Sequence, residues 1–575
     1  MSFWIGVLLL SLGIAAAPPE PPPLRVIYFI PSDRDPLPGY QGRLDRVMTE
    51  VQRFYREGMQ AAGYGAKTFA LERDEEGRLR LYLVQGIHPM REYGRNDAAK
   101  VRREVKDALA QQGIDADRET IVIFQVLLAW EGDRATEIGP YVGGGNYLSG
   151  TAWVYDDPRL DPQLLPSKEP GGYYNGPCSL GQFNTHYIGG TAHELGHAFG
   201  LPHDCETRAD RSVRGRSLMG SGNHTYGQEL RNEGPGTFLS AASAMQLAFI
   251  RAFSGEQPDA RVNPNCRWTA LDARFDDGKM ILTGAVEAQP PAFGLVALND
   301  GAAPPADYDA VGWTATIDEQ GRFQVEIGEL QSGRSQLRLR VCHVNGAQSV
   351  FAFDYDVDGG GKPRLDVFRM YVPLRRAMEA FSARDRKRLE ELATDYREQL
   401  DDLPELRRRL AHLLRLLEAP APRPLADIPP DQDGWVPISG AAFRSATTGW
   451  GRPLRDQVLV ERGAPCFLQV GGQFFEHGLF AHAPSKYELE LDGKFGRFRA
   501  GYGLQDGHEG SVVFVVRGDG RELFRSPLIR DSALRRLDLG VENVRVLELV
   551  VETGDDGPRS DWGVWIEPQL KPSGR

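Results

Sequence analysis

The apolar positions of this chain change rhythm several times. Leu24 to Ile30 is an apolar, β-branched run that reads as a first strand. Leu44 to Ala62 and Ala99 to Gln111 repeat with helical spacing, Leu79 to Val84 reads as a second strand, and Thr120 to Leu128 as a buried one. Ser240 is placed to cap a helix over Ala241 to Phe253, which Gly255 would end. Strand, helix, strand, helix, strand and a further helix make an α/β sandwich over residues 24–255. Within it, Gly143-Gly144-Gly145-Asn146 to Trp153 can be a surface loop; glycine there would let two backbones approach closely.

Beyond residue 260 the runs shorten. Met280 to Val286, Phe323 to Ile327, Leu337 to Val344 and Val350 to Tyr355 predict a small immunoglobulin-like β-sandwich over residues 262–362. Leu374 to Leu403 and Glu405 to Glu418 carry Leu and Arg/Lys on different helical faces and break at Pro404. They predict an antiparallel helical hairpin acting as a spacer over 366–418, with Arg407-Arg408-Arg409 on its solvated face. Residues 419–432 are proline-rich and read as a semi-rigid linker. Residues 433–571 alternate again as strands. The expected fold class is a multidomain α+β chain.

The length, 575 residues, suits three or four domains, and a net charge of −12 spread along the chain argues against a nucleic-acid binder. Phe3 to Ala17 is apolar and ends in three alanines, which predicts a signal peptide over 1–17, a secreted or periplasmic protein, and no membrane span in the mature chain. The few residues between that cleavage site and the first strand leave no room for a folded propeptide. The five cysteines suggest Cys178–Cys205 and Cys266–Cys342 pairs with Cys466 left over, although spacing does not determine connectivity. Asp354 to Gly359 begins like an EF-hand loop, but position twelve is Leu365 and Pro363 interrupts. Ca2+ has weak support there, and an acidic turn is the better reading.

The chemistry concentrates at His193-Glu194-Leu195-Gly196-His197-Ala198-Phe199-Gly200-Leu201-Pro202-His203-Asp204. On a helix, His193 and His197 share one face a turn apart and can reach one metal, while Glu194 stands beside them as a general base. Gly200 can end the helix in a left-handed turn that brings His203 back as third ligand. Three imidazoles leave a fourth position open, the arrangement of a single catalytic Zn2+.

The H-E-x-x-H-x-x-G-x-x-H-D segment resembles the signature of metzincin zinc endopeptidases, which implies an α/β catalytic domain and peptide-bond hydrolysis. The resemblance implies a Met-turn at Ser217 to Gly220 with Met219 beneath the ligands, structural hydrogen bonds from Asp204, and an accessory oxyanion or metal role for Tyr226, with His224 nearby. It also implies an edge strand above the cleft that pairs with extended substrate. Residues 433–571 resemble the NPCBM family through Gly478 to Ser485, Phe495 to Leu504, Gly510 to Phe514, Gly518 to Leu523 and Ser560-Asp561-Trp562. That implies a galactose-binding-like jelly roll and, more weakly, a glycan ligand; Trp435, Trp450, Trp562, Trp565, His482 and Asp561 could contribute, and the sugar site is unknown. The expected function is a secreted zinc endopeptidase acting on proteins or glycoproteins. A catalytically silent carbohydrate-binding adhesin and a zinc hydrolase of a non-peptide amide remain alternatives.

Overall fold

The computed structural model describes residues 20–257, 259–301, 309–418, 421–459 and 466–573, with 398–400 as backbone alone. The expected signal peptide lies outside them. Among the described residues no helix is long and apolar enough to cross a membrane. The chain forms two compact units, Met1–Arg369 and Met370–Arg575.

The first unit begins with a twisted sheet. β1 (Pro23–Ile30) lies between β2 (Leu81–Gln85) and β3 (Thr120–Gln125), β3 pairs with β5 (Gly150–Tyr155), and all four are parallel. β4 (Val142–Gly145) runs antiparallel along the outer side of β5, Gly143 opposite Ala152, so the triple glycine is an edge strand and not a loop. Every residue of β3 is buried, as a parallel strand covered on both faces requires.

Helices α1 (Tyr40–Ala61), α2 (Ala98–Ala110) and α3 (Leu180–Ala198) pack with this sheet. α3 starts from a capping box between Ser179 and Gln182, which satisfies two orphan end donors. Tyr55 of α1 donates to Ala192 O at 2.7 Å and meets Phe199 edge-on at 5.6 Å, tying α1 to both sides of the His193–His197 turn. The helix expected over 241–253 is interrupted: α4 (Ala241–Leu247), capped by Ser240, is followed by a separate turn at Arg251–Ser254.

Among the described residues of 265–357, seven strands form a sandwich. β6 (Asn265–Asp276), β7 (Lys279–Gln289) and β10 (Arg322–Ile327) make one sheet; β9 (Val311–Thr316), β8 (Ala292–Asp300), β11 (Gly333–His343) and β12 (Gln348–Val357) make the other. Four of these strands were visible as apolar runs; β6, β8 and β9 were not. β6 buries only alternate positions, and β9 is nowhere fully buried.

In the second unit, two expectations are corrected. The helical hairpin is instead a cluster of helices, Asp366–Ser382, Arg386–Asp395, Arg397–Asp402 and Pro404–Glu418. Their leucines share a core with Cys466, Phe467 and Phe474 of the β-module. Arg409 is not solvated: it lies 4.8 Å over the rings of both Phe467 and Phe474, and burial pushes its guanidinium pKa down. The proline-rich linker is docked as well. Arg423 exchanges backbone hydrogen bonds with Gly440 and Ala442, and Ile428 enters the module core. The module itself is two antiparallel sheets enclosing Phe498, Phe514, Leu547, Leu549 and Trp565, the expected β-sandwich.

Candidate active site

The helical period brings His193 and His197 together, and Gly200, at φ +87°, turns the chain back toward them. His193 Nδ1 lies 2.7 Å from Leu218 O, and His197 Nδ1 lies 2.9 Å from Leu201 O. A carbonyl can only accept, so each Nδ1 carries the proton and each Nε2 presents a lone pair. Those lone-pair nitrogens converge: His197 Nε2 is 3.2 Å from His193 Nε2 and 3.1 Å from His203 Nε2. Burial lowers the pKa of both helical imidazoles, that of His193 to about 3, so they are neutral at physiological pH. Nitrogens facing one another without a proton between two of them form a donor set for a cation. The ligand type, number and spacing fit one zinc ion.

Glu194 stands beside this cluster under the edge strand. Burial raises its carboxyl pKa to about 7, against a hydrogen bond from the Gly143 N–H. β4 reaches that position because residue 143 has no side chain; a Cβ there would lie 1.9 Å from Glu194 O.

Met219 is fully buried, and its Sδ occupies the space a side chain on Gly196 would need, beneath the helical ligands. Asp204 accepts hydrogen bonds from Ser217, from Ser240 at 2.8 Å and from Ser243 at 2.6 Å, a structural role as expected. Tyr226 departs from expectation. It is buried, and its hydroxyl donates to Glu50 Oε1 of α1 at 2.8 Å, which directs it to the α1 interface and not to the three histidines.

One cluster escaped the sequence reading. His186 stacks on Tyr174 at 3.6 Å, and its Nδ1 is 3.0 Å from His224 Nδ1. Its signal was available: His186 precedes His193 by seven residues, two turns back on one helix face. Burial lowers the His186 pKa to about 3, with the neighbouring His224 contributing.

The suggested disulfides do not form. Cys178 lies on the strand Pro177–Ser179 while the main chain of Cys205 pairs with β9, and Cys342 faces the apolar residues Ala242, Val296 and Leu298. The EF-hand-like segment is the end of β12, through Val357, followed by a turn. Asp358 Oδ1 is engaged by the N–H groups of Gly360 and Lys362, and Asp354 faces Arg334 and Gln336 across the sheet.

In the C-terminal module, Trp450 and Trp562 lie 6.4 Å apart with His482 near Trp450, and His508 stacks on Trp562 at 3.9 Å. Trp450 is 51% exposed. Asp561 is buried; its Oδ1 accepts from Ser511 N, while Oδ2 has no partner. Trp565 is instead a core residue against Phe514, and Trp435 lies under Arg499. Two of the four candidate tryptophans therefore assemble with both candidate polar residues.

The chain is similar to OgpA from Akkermansia muciniphila. A catalytically inactive form of OgpA in complex with an O-glycopeptide (glycodrosocin) substrate is 25% identical, with a TM-score of 0.51, over 60% of this chain and 96% of that one. A structure of the wild-type protein is 26% identical, with the same TM-score and coverage. Over 131 residues the chain is 29% identical to a Renibacterium salmoninarum protein named "Putative endo-alpha-N-acetylgalactosaminidase". That match spans 22% of this chain and only 8% of the relative's length. Residues 434–571 match the family described as NPCBM/NEW2 domain, so the C-terminal β-sandwich is an NPCBM domain.

Proposed function

We propose that this protein is a secreted zinc endopeptidase that cleaves the polypeptide of O-glycosylated substrates and carries its own glycan-binding module. One observation carries the peptidase reading: three imidazole Nε2 atoms converge beside a half-buried glutamate, directly under an exposed strand edge. The likeness to a protein solved with an O-glycopeptide supports the substrate class.

His193, His197 and His203 would hold the metal. When bound, zinc supplies Lewis acidity that polarises a scissile carbonyl and acidifies a water molecule. Glu194 would take a proton from an attacking water and return it to the departing amine nitrogen. The Gly143 N–H steadies the carboxylate. β4 offers its free edge to an extended peptide, whose main chain adds as another strand and whose side chains are read only loosely. Tyr174, His186 and His224 present ring faces and imidazole nitrogens two turns from His193, a surface suited to a sugar on the bound peptide. The exposed Trp450, with Trp562 and His508 beside it, forms a second sugar-type surface, which raises the local concentration of glycosylated substrate.

The test is peptide mapping by mass spectrometry on an O-glycosylated peptide and its unglycosylated twin, with wild type and Glu194→Ala. New peptide termini from the glycosylated substrate with wild type only are expected. Cleavage of both substrates at equal rates would refute the glycan requirement. No cleavage by zinc-loaded wild type would refute the peptidase.

A further inference from the structure

His203 is the one expected ligand that α3 does not carry. It lies in 201–205, a stretch outside any helix or extended strand, and its placement depends on what holds that stretch at its two ends. At the near end, Leu201 O is tied to His197 Nδ1. At the far end, two residues past His203, the anchor comes from the β-sandwich. Cys205 N donates to Ala310 O at 2.6 Å, Gly312 N donates to Cys205 O at 3.4 Å, and Cys205 forms a parallel bridge with Val311 of β9.

The side chains follow the same path. Asp204 is fixed by Ser217 and by Ser240 and Ser243 at the start of α4, and α4 inserts Ala242 and Met245 among Val296, Leu298, Ala310 and Cys342 of the sandwich. Arg208 N donates to Glu329 Oε1 on the loop after β10 at 2.8 Å. A domain merely tethered behind a peptidase would have no reason to place main-chain hydrogen bonds inside the ligand loop.

We propose that β9 is the positioning element for His203, so that the metal-holding unit extends from β1 through the sandwich and does not end near residue 255. This rests on the reading of His193, His197 and His203 as the metal ligands. The chemical consequence is specific. Loosening β9 frees the third imidazole while the two helical ones stay in place, so the ion is lost faster although α3 and its core are intact.

Gly312 gives the means to test this. A Cβ on it would lie 2.8 Å from Ala242 Cβ, which forces β9 and α4 apart, and 3.8 Å from Asp204 Cβ, an ordinary contact, so only a larger side chain also presses on the ligand loop. Leu339 is the control. It pairs with Ala297, on the face opposite to Val296 and Leu298, so Leu339→Ala weakens the sandwich away from the loop.

The experiment uses the full chain loaded with zinc and follows transfer of zinc to a chromogenic chelator, with the melting temperature measured in parallel. Gly312→Val is expected to release zinc about tenfold faster than wild type, in the range seen when groups supporting metal ligands are lost. Gly312→Ala is expected to be intermediate, and it decides the matter if the valine variant does not fold. Leu339→Ala, with a lower melting temperature, is expected to release zinc at the wild-type rate. Wild-type release from both folded Gly312 variants would overturn the proposal. So would release from Leu339→Ala as fast as from Gly312→Val, because metal loss would then track global stability. Failure of the wild type to take up zinc would overturn the metal reading itself, and with it the clamp.

Discussion

The edge strand gives the sharpest test of the catalytic geometry, through Gly143→Ala. The added methyl would sit 1.9 Å from Glu194 O, 2.7 Å from its carbonyl carbon and 2.9 Å from its Cα. All three are backbone atoms of a buried helix and cannot swing aside. Carbon contacts settle at about 3.5–4.0 Å, so β4 must retreat by about 1 Å or more. The retreat takes with it the N–H that steadies the Glu194 carboxylate and the edge proposed to receive the peptide. A displacement of about 1 Å at a reacting centre costs on the order of 10²-fold in rate, or about 2.7 kcal/mol of transition-state stabilisation. Gly144→Ala is the internal control, because a Cβ there has nothing within 4 Å. The assay is kcat/KM on an O-glycopeptide, with zinc content and melting temperature measured on the same preparations. The expected result is a loss near 10²-fold for Gly143→Ala at full zinc content, with Gly144→Ala close to wild type. Equal activity of the two variants, or a loss in Gly143→Ala matched by a loss of zinc, would refute the reasoning.

Other outcomes follow from the same geometry. Glu194→Gln should lower turnover by at least about 10²–10⁴-fold, the contribution of a positioned general base, while elemental analysis still finds one zinc per chain. Asp204→Ala should leave three buried serine hydroxyls without their acceptor; each such loss costs about 1–3 kcal/mol, and thermal unfolding should show a marked drop in melting temperature. Trp450→Ala should weaken glycan binding by about 1 kcal/mol or more in titration calorimetry, yet leave cleavage of a short glycopeptide unchanged. A parallel fall in cleavage would show that the tryptophan serves the catalytic site.

How much of this was legible in the chain follows from what local spacing can encode. His193, Glu194, His197 and His203 were readable because a helical period and a glycine turn determine where their side chains point, and no distant residue is needed to know it. β4 was readable only as one of two options. The triple glycine signals close approach, but that the approached surface is the backbone of Glu194 becomes evident only when β4 and α3 are packed together. Tyr226 shows the limit on the other side. Only the family resemblance suggested a role at the metal, at a longer spacing from Met219 than the family pattern has, and the direction of its hydroxyl is set by Glu50, 176 residues away in sequence.

The same reasoning explains the hairpin that became a helix cluster. A stripe of leucines states that a face is buried, not what buries it, and Phe467 and Phe474 lie beyond a proline-rich stretch that reads as a separator. Arg409 is the instructive residue. In a run of three arginines solvation is the reasonable expectation, yet a guanidinium can be buried when aromatic faces and a carboxylate receive it. Here Phe467, Phe474 and Glu405 do so. The sandwich and the ligand loop pose this problem in its functional form. Cys205 and Val311 carry no chemical signature, and their pairing is a main-chain event that side-chain patterns do not record. A peptidase boundary drawn from motif and periodicity therefore stops at the end of the catalytic helices. One drawn from the hydrogen bonds that hold Cys205, two residues past His203, includes β9.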